Sequence, residues 1–272
     1  MTDRYAVVGN PVAHSRSPEI HVAFARECGA DIQYERLLAP LTEFTRTIDA
    51  FRLNGASGAN VTVPFKREAF DYASECTARA KRGGSVNTLS FRDNKIIGDS
   101  TDGIGLCRDI IQNIGYPLRG AKILLIGAGG AARSAVGALL DCDPITLTIT
   151  NRTLANAEAI VHELGVGDVV TVAAPQELSR SIFDVVIDAT SSGLTGSQPL
   201  VAATCFGKNT LAYDMMYGKG LTPFLQLAAG AGATTADGLG MLVEQAAEAF
   251  YGWRGVHPQT GEIIKRLRQA LS

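Results

Sequence analysis

Short continuous apolar runs alternate along this chain with stretches where apolar residues recur every third or fourth position. This is the pattern of strands buried in a sheet with helices laid against them. Tyr5-Ala6-Val7-Val8-Gly9 reads as a first buried strand. Ser17-Pro18-Glu19 predicts a helix start, with Ser as cap, Pro in the first helical position and an acid in the first turn. Ile20 and Phe24 supply that helix's apolar face. A strand over 32–39, a helix over 41–53 closed by Asn54-Gly55, a short strand over 59–63, a helix over 68–80 and short strands over 86–89 and 95–97 follow. From Lys122 the rhythm is regular: an apolar strand over 122–126, a helix to 140, a strand over 145–150 and a helix over 154–164. Strands over 169–172, 185–189 and 210–213 continue it, and two helices over 239–253 and 261–271 close the chain.

The alternation predicts an α/β protein of two lobes. Residues 1–103 form the first, residues 104–237 form a dinucleotide-binding lobe, and the helices of 238–272 return to pack on the first.

Composition narrows the function. The chain has 272 residues, a formal net charge of −2, 46% hydrophobic and 19% charged residues, which fits neither disorder nor a coiled coil. With a pI near 6.1 and no Lys/Arg run, neither nucleic acid nor an acidic membrane surface is an expected partner. No apolar run approaches the ~20 residues of a membrane span, and Met1-Thr2-Asp3-Arg4-Tyr5 leads straight into a strand pattern without a signal-peptide pattern. The five cysteines (28, 76, 107, 142 and 205) are scattered and form no Cys-x-x-Cys pair. They predict a reducing, cytoplasmic setting and no cysteine-based metal site. The 29 glycines are the first informative excess.

One group of glycines carries chemistry. Gly127-x-Gly129-x-x-Ala132 directly follows an apolar strand and opens a helix. The first Gly permits the tight turn, the second lets backbone approach a pyrophosphate, and the small third residue lets helix and strand pack closely. An NAD site has an acid at the end of the next strand to hold the ribose hydroxyls. Here that strand ends Thr150-Asn151-Arg152-Thr153, with a guanidinium where a 2′-phosphate would lie, so NADP is the expected cofactor.

A nicotinamide enzyme acting on an alcohol or ketone must also move a proton. Tyr-x-x-x-Lys occurs at none of the seven tyrosines, and the histidines and cysteines are too isolated to suggest zinc. The acid/base must be a Lys or a carboxylate. The candidates lie in three polar clusters of the first lobe: Asn10 to Pro18 with Ser15 and Ser17, Asn60-Val61-Thr62-Val63-Pro64-Phe65-Lys66, and Val86-Asn87-Thr88 with Gly98-Asp99-Ser100-Thr101-Asp102-Gly103. Two hydroxyls at alternate positions before a helix suit a carboxylate ligand. Taken singly, Ser17 also reads as a helix cap, Lys66 as a surface residue, and the third cluster as turn formers.

Together, these clusters resemble the shikimate dehydrogenase family over essentially the whole chain. The resemblance also takes in Asp214-Met215-Met216-Tyr217-Gly218 and Asp237-Gly238-Leu239-Gly240-Met241-Leu242-Val243-Glu244-Gln245. It implies NADPH-dependent reduction of 3-dehydroshikimate to shikimate, on the route to chorismate and the aromatic amino acids. It also implies a substrate lobe and a Rossmann-like NADP lobe with the active site in the cleft. Carried over residue by residue, it makes Lys66 and Asp102 the catalytic dyad. Ser15, Ser17, Thr62, Asn87, Tyr217 and Gln245 join them in holding the substrate. Gly127, Ala128, Gly129, Gly130, Ala131, Asn151, Arg152, Thr153, Met215 and Gly238 contact NADP. No metal is implied, and a monomer or homodimer is expected.

The chain departs from the family pattern in three places. It reads Asp99-Ser100-Thr101-Asp102 where Asp-Asn-Thr-Asp is expected, has Asp188 where an Asn usually precedes Ala-Thr, and follows Arg152 with Leu154-Ala155-Asn156, without the second Arg of the dinucleotide clamp. A weaker preference for NADP over NAD follows from the last. Two alternatives stand beside this reading: a quinate/shikimate dehydrogenase with relaxed cofactor use, and a non-catalytic binding module of the same fold.

Overall fold

The computed structural model describes residues 2–190 and 198–271. The chain divides into two units, Met1–Gly105 with Val243–Arg266, and Leu106–Leu242 with Leu267–Ser272. Among the described residues no helix is long and apolar enough to cross a membrane.

The first unit is built on a mixed six-stranded sheet. Its strands are β1 (Asp3–Gly9), β2 (Ile32–Leu38), β3 (Ala56–Val61), β4 (Glu75–Cys76), β5 (Thr88–Arg92) and β6 (Lys95–Asp99), in the order β2-β1-β3-β5-β6-β4. β1 runs parallel to β2 and β3, whereas β5 is antiparallel to β3 and β6. Helices α1 (Ser17–Cys28), α2 (Phe44–Leu53), α3 (Lys66–Tyr72) and α4 (Ala78–Gly83) connect the strands. Val8, Val61, Phe65, Val86 and Leu89 lie in one core cluster with Phe44 and Ile48 of α2. Tyr5, Val7 and Tyr34 lie in another with Ala249 and Trp253. His21 is fully buried here, stacked on Tyr34 with ring centroids 4.4 Å apart, and burial pushes its imidazole down to about 3, so it is neutral.

Two readings of local structure need correction. The helix predicted over 68–80 is interrupted. α3 ends at Ala73 with ψ 132°, and Ser74 then bonds Ile96 through its backbone N–H (2.9 Å) and hydroxyl (3.0 Å), drawing Glu75–Cys76 alongside β6 as β4. A tertiary pairing overrides helical periodicity there. Thr77 caps α4 by accepting from the Ala80 N–H at 3.3 Å. Ser17 is not a helix cap: Arg16 occupies the N-cap position, without a side-chain capping bond.

The second unit has a fully parallel sheet. Its strands are β7 (Lys122–Ile126), β8 (Thr146–Thr150), β9 (Val170–Val172), β10 (Val185–Asp188), β11 (Leu211–Asp214) and β12 (Thr234–Asp237), in the order β12-β11-β10-β7-β8-β9. Counted from β7, this is the doubly wound order whose direction reverses at β7, so the crevice beyond the carboxyl ends of β7 and β10 is where such sheets bind ligands. Helices α6 (Gly130–Leu140), α7 (Leu154–Leu164) and α8 (Pro223–Gly230) accompany the strands. Ile123 and Leu125 point into the larger core cluster, and Leu124 and Ile126 into the other, so β7 is apolar on both faces.

Two helices pass from one unit to the other: α5 (Asp102–Arg108), prolonged by a π turn over Asp109–Asn113, and α9 (Leu239–Arg254). The closing helix is α10 (Gly261–Leu271), of which Leu267 onward counts with the second unit.

Candidate active site

In the first unit, a buried amide gathers the polar residues. The Asn87 backbone is locked between strands, donating to the Asp99 carbonyl (3.0 Å) and accepting from Val61 N–H (2.8 Å). Its side-chain Nδ2 reaches Asp102 Oδ1 (2.9 Å), Thr101 Oγ1 (2.9 Å) and Gln245 Oε1 (3.2 Å). Its Oδ1 accepts from the Thr101 N–H at 2.8 Å. Asp102 opens α5, and its other oxygen, Oδ2, accepts from Lys66 Nζ at 2.6 Å. Lys66 opens α3 immediately after the fully buried Phe65, and its carbonyl is fixed by the N–H of Val86 at 3.0 Å. The pair is mostly enclosed, with side-chain exposures of 21% and 9%. The structure therefore brings Lys66, Asp102, Asn87 and Gln245 together, although Gln245 lies far from the others in sequence. A charge-assisted contact of this length aims the ammonium and leaves N–H donors for a ligand oxygen.

Ser15 and Ser17 form a second group. Ser15 Oγ donates to Ser17 Oγ at 3.2 Å, and the Arg36 guanidinium grips the Ser15 carbonyl at 2.6 and 3.0 Å. Ser15 Oγ also accepts from the Ser17 N–H at 3.3 Å, so the two residues are tied to each other twice. Thr62 is tied to β1 through its N–H to the Val8 carbonyl at 2.9 Å. Gly9 faces it, and a Cβ there would fall 2.4 Å from Thr62 Cγ2. The run from Asn60 to Lys66 has a further anchor: Tyr34 donates to Asn60 Oδ1 at 2.7 Å, and Asn60 Nδ2 reaches Thr88 Oγ1 at 3.1 Å.

In the second unit the residues fit a dinucleotide. Gly127 has φ 114°, in the region that favours glycine, and a Cβ there would crowd Ala189 and Thr190 after β10 at 3.1–3.3 Å. The loop thus sits at the strand-order reversal. Built Cβ atoms at Gly129 and Gly130 meet nothing within 4 Å, so the approach to α6 is open. No side chain caps that helix, whose first N–H groups and dipole suit a phosphate. Ala128 and Ala131 flank the glycines in the same loop. At the end of β8, Asn151 Nδ2 donates to the Thr153 carbonyl (2.8 Å), fixing the turn on which Arg152 stands exposed. Gly238 lies against Met215: a Cβ on it would come 2.2 Å from the Met215 carbonyl oxygen. Tyr217 follows, half-buried, in the loop after β11. It belongs to this unit, not to that of Lys66.

Three carboxylates end neighbouring strands in register, Asp188 opposite Asp214 and Asp214 opposite Asp237. Asp237 is paired with Arg268. Burial, with the two neighbouring carboxylates, pushes Asp214 up to about 6, against hydrogen bonds from Thr222 and the Met216 N–H that favour its ionised form. The sign follows directly: between the unfolded value of 3.8 and about 6, the folded chain binds a proton that the unfolded chain has released. This carboxyl's contribution to stability therefore falls as pH rises across that window. Asp214→Asn should accordingly gain in melting temperature relative to the parent between about pH 4 and about pH 7. Thermal melts of both proteins across the range check it, and parallel curves refute it.

Sequence reasoning passes over two groups. Tyr34 holds Asn60 from a strand that shows only its apolar pattern, and Thr101 reads as part of a motif without a partner. Their signal is the polar density around Asn60 and Asn87, which becomes informative once β3 and β5 are known to pair.

Comparison with known proteins gives the family. Three family models match: a shikimate dehydrogenase substrate binding domain over residues 7–89, shikimate / quinate 5-dehydrogenase over 109–201, and a shikimate 5'-dehydrogenase C-terminal domain over 238–268. A Chromobacterium violaceum protein named shikimate dehydrogenase (NADP(+)) is 50% identical over 273 residues, covering 100% of both chains. The crystal structure of an Ael1 enzyme from Pseudomonas putida matches with TM-score 0.93 and 44% identity over 98% of each chain. The shikimate 5-dehydrogenase of Thermus thermophilus, in complex with NADP(H) and shikimate, matches with TM-score 0.88 and 30% identity, covering 99% of this chain and 100% of that one.

Proposed function

The chain belongs to the shikimate dehydrogenase family, and from that premise we propose that it interconverts 3-dehydroshikimate and shikimate with NADP(H), on the route to chorismate and the aromatic amino acids. The observation that carries the catalytic assignment is the 2.6 Å contact of Lys66 with Asp102, joined through Asn87 to Gln245.

When bound, NADPH supplies the hydride to the carbonyl carbon. Negative charge grows on the carbonyl oxygen, and the Lys66 ammonium stabilises that charge and donates the proton. In shikimate oxidation the same amine accepts it. Asp102 aims the ammonium and accepts from a ring hydroxyl. Asn87, Gln245, Thr62 and Tyr217 read the remaining hydroxyls and the carboxylate region, while Ser15 and Ser17 donate to the carboxylate. Sites of this kind discriminate strongly, because a substrate lacking a hydroxyl leaves buried polar groups unpaired. Gly127, Ala128, Gly129, Gly130 and Ala131 receive the pyrophosphate on the α6 N-terminus. Asn151, Arg152 and Thr153 would hold the 2′-phosphate side, and Met215 and Gly238 would contact the dinucleotide. The scattered, unpaired cysteines favour a cytoplasmic enzyme, and we propose a monomer or homodimer.

The test is oxidation of shikimate followed by reduced-nicotinamide absorbance, with NADP and NAD side by side and quinate as a second substrate. Turnover of shikimate with NADP well above NAD is the expected result. Equal rates with both cofactors, or comparable use of quinate, would transfer the assignment to a relaxed quinate/shikimate enzyme. Folded protein without turnover would make it a binding module.

A further inference from the structure

Arg79 of α4 makes three charge-assisted hydrogen bonds to two carboxylates from distant parts of the chain. Its Nε donates to Asp99 Oδ1 at 2.7 Å, one terminal nitrogen donates to Asp99 Oδ2, and the other donates to Glu248 Oε1 at 2.7 Å. The side chains are 31%, 17% and 9% exposed for Arg79, Asp99 and Glu248, so the cluster is largely withdrawn from water. None of the three residues belongs to the substrate or cofactor set above.

Their positions connect them to it. Asp99 ends β6, and its Oδ1 also accepts from Thr77 Oγ1 (2.6 Å) and from the Ser100 N–H (2.8 Å). That last bond fixes the first peptide of Ser100-Thr101-Asp102, the short run that delivers Asp102 to Lys66. Glu248 stands on α9 three residues after Gln245, so the two project from the same face of the helix. α5 and α9 touch closely: a Cβ on Gly105 would lie 2.7 Å from the Gln245 backbone nitrogen. One guanidinium thus spans the segment carrying Asp102 and the helix carrying Gln245.

A buried ion cluster is a poor device for stability alone, since well-packed apolar residues usually serve as well. What a planar fork provides is direction: it presents donors at fixed angles to two acids at once, which a lysine cannot do. We infer that Arg79 is a positioning residue for the reaction, setting the spacing between Asp102 and Gln245 by holding Asp99 and Glu248 in one fork. The inference rests on the reading of Lys66, Asp102 and Gln245 as the active site.

The test uses the full-length protein and two conservative variants, Arg79→Lys and Glu248→Gln, with steady-state kinetics in which shikimate and NADP are varied separately. Arg79→Lys should raise KM for shikimate by about tenfold, the worth of one hydrogen bond to a charge. KM for NADP should stay unchanged. Glu248→Gln keeps an acceptor for Arg79 but loses the charge, and should move KM for shikimate in the same direction by less. If both KM values rise together, or if the melting temperature falls while the kinetic constants hold, Arg79 is a structural tie and the inference is overturned. Should Arg79→Lys fail to fold, Glu248→Gln decides alone, and an unaltered KM for shikimate refutes the positioning role. Lys66→Met separates the two readings. If it still turns over, the active-site assignment itself fails. If it is inactive while the Arg79 and Glu248 variants are normal, only the positioning role fails.

Discussion

Replacing Lys66 with Ala should lower kcat for shikimate oxidation by about 10²–10⁴, the range expected for loss of a positioned proton donor, while KM for shikimate changes far less. The asymmetry follows from where the ammonium acts. Its 2.6 Å bond to Asp102 aims it. Its bond to the reacting oxygen strengthens only as charge develops there, so its removal is felt mainly in the transition state. Lys66→Met, which keeps most of the side chain's length without the charge, should behave like the Ala variant. Binding of NADPH, followed by its fluorescence, should be unchanged in both. Near-parental turnover in either variant would remove Lys66 from the mechanism.

Arg152→Ala should raise KM for NADP by about 10–100-fold, since a hydrogen bond to a charged phosphate is worth about 1.5–3 kcal/mol. The same change should leave KM for NAD within about twofold, because NAD lacks the 2′-phosphate. Arg152 is the one cation in the Asn151-Arg152-Thr153 turn, and residues 154–156 add none. On the proposed reading, this one side chain in that stretch carries the discrimination. Parallel kinetics with the two dinucleotides check this. Equal losses with both would mean that Arg152 supports the turn instead of reading the phosphate.

Legibility differs between the two units for a physical reason. The second opens as a run of local β-α-β units: β7 is apolar on both faces, β8 buries Leu147 and Ile149 in the larger core cluster, and α6 and α7 follow them closely. Periodicity alone therefore locates β7, α6, β8 and α7 to within a residue or so, and the glycine loop falls between two of them. The first unit depends on pairings that periodicity does not encode. β5 turns antiparallel between β3 and β6, β4 exists because Ser74 finds Ile96, and Ser17 loses its capping role because Arg16 starts the helix. The π turn over Asp109–Asn113 and α8 also escape the sequence pattern, the first because a widened turn has no distinct period. Lys66 and Asp102 are legible as members of polar clusters, but their pairing comes from resemblance and not from spacing. Arg79 is not legible at all, since Glu248 stands 169 residues away from it in the chain.

The discontinuity of the first unit has a consequence during synthesis. Trp253 stacks on Tyr5 with ring centroids 4.4 Å apart and donates its indole N–H to the Leu89 carbonyl at 3.1 Å. A ribosome must therefore translate all of Leu106–Leu242 before the apolar flank of β1 is covered, a delay on the order of ten seconds at about 5–20 residues per second. Throughout that interval the nascent chain carries Tyr5, Val7 and Tyr34 without their final cover, while the parallel sheet can form from contiguous sequence. The half that holds the Lys66–Asp102 pair therefore waits longest for the cover of its first strand, and in that interval its exposed apolar flank is open to chaperone capture and to aggregation.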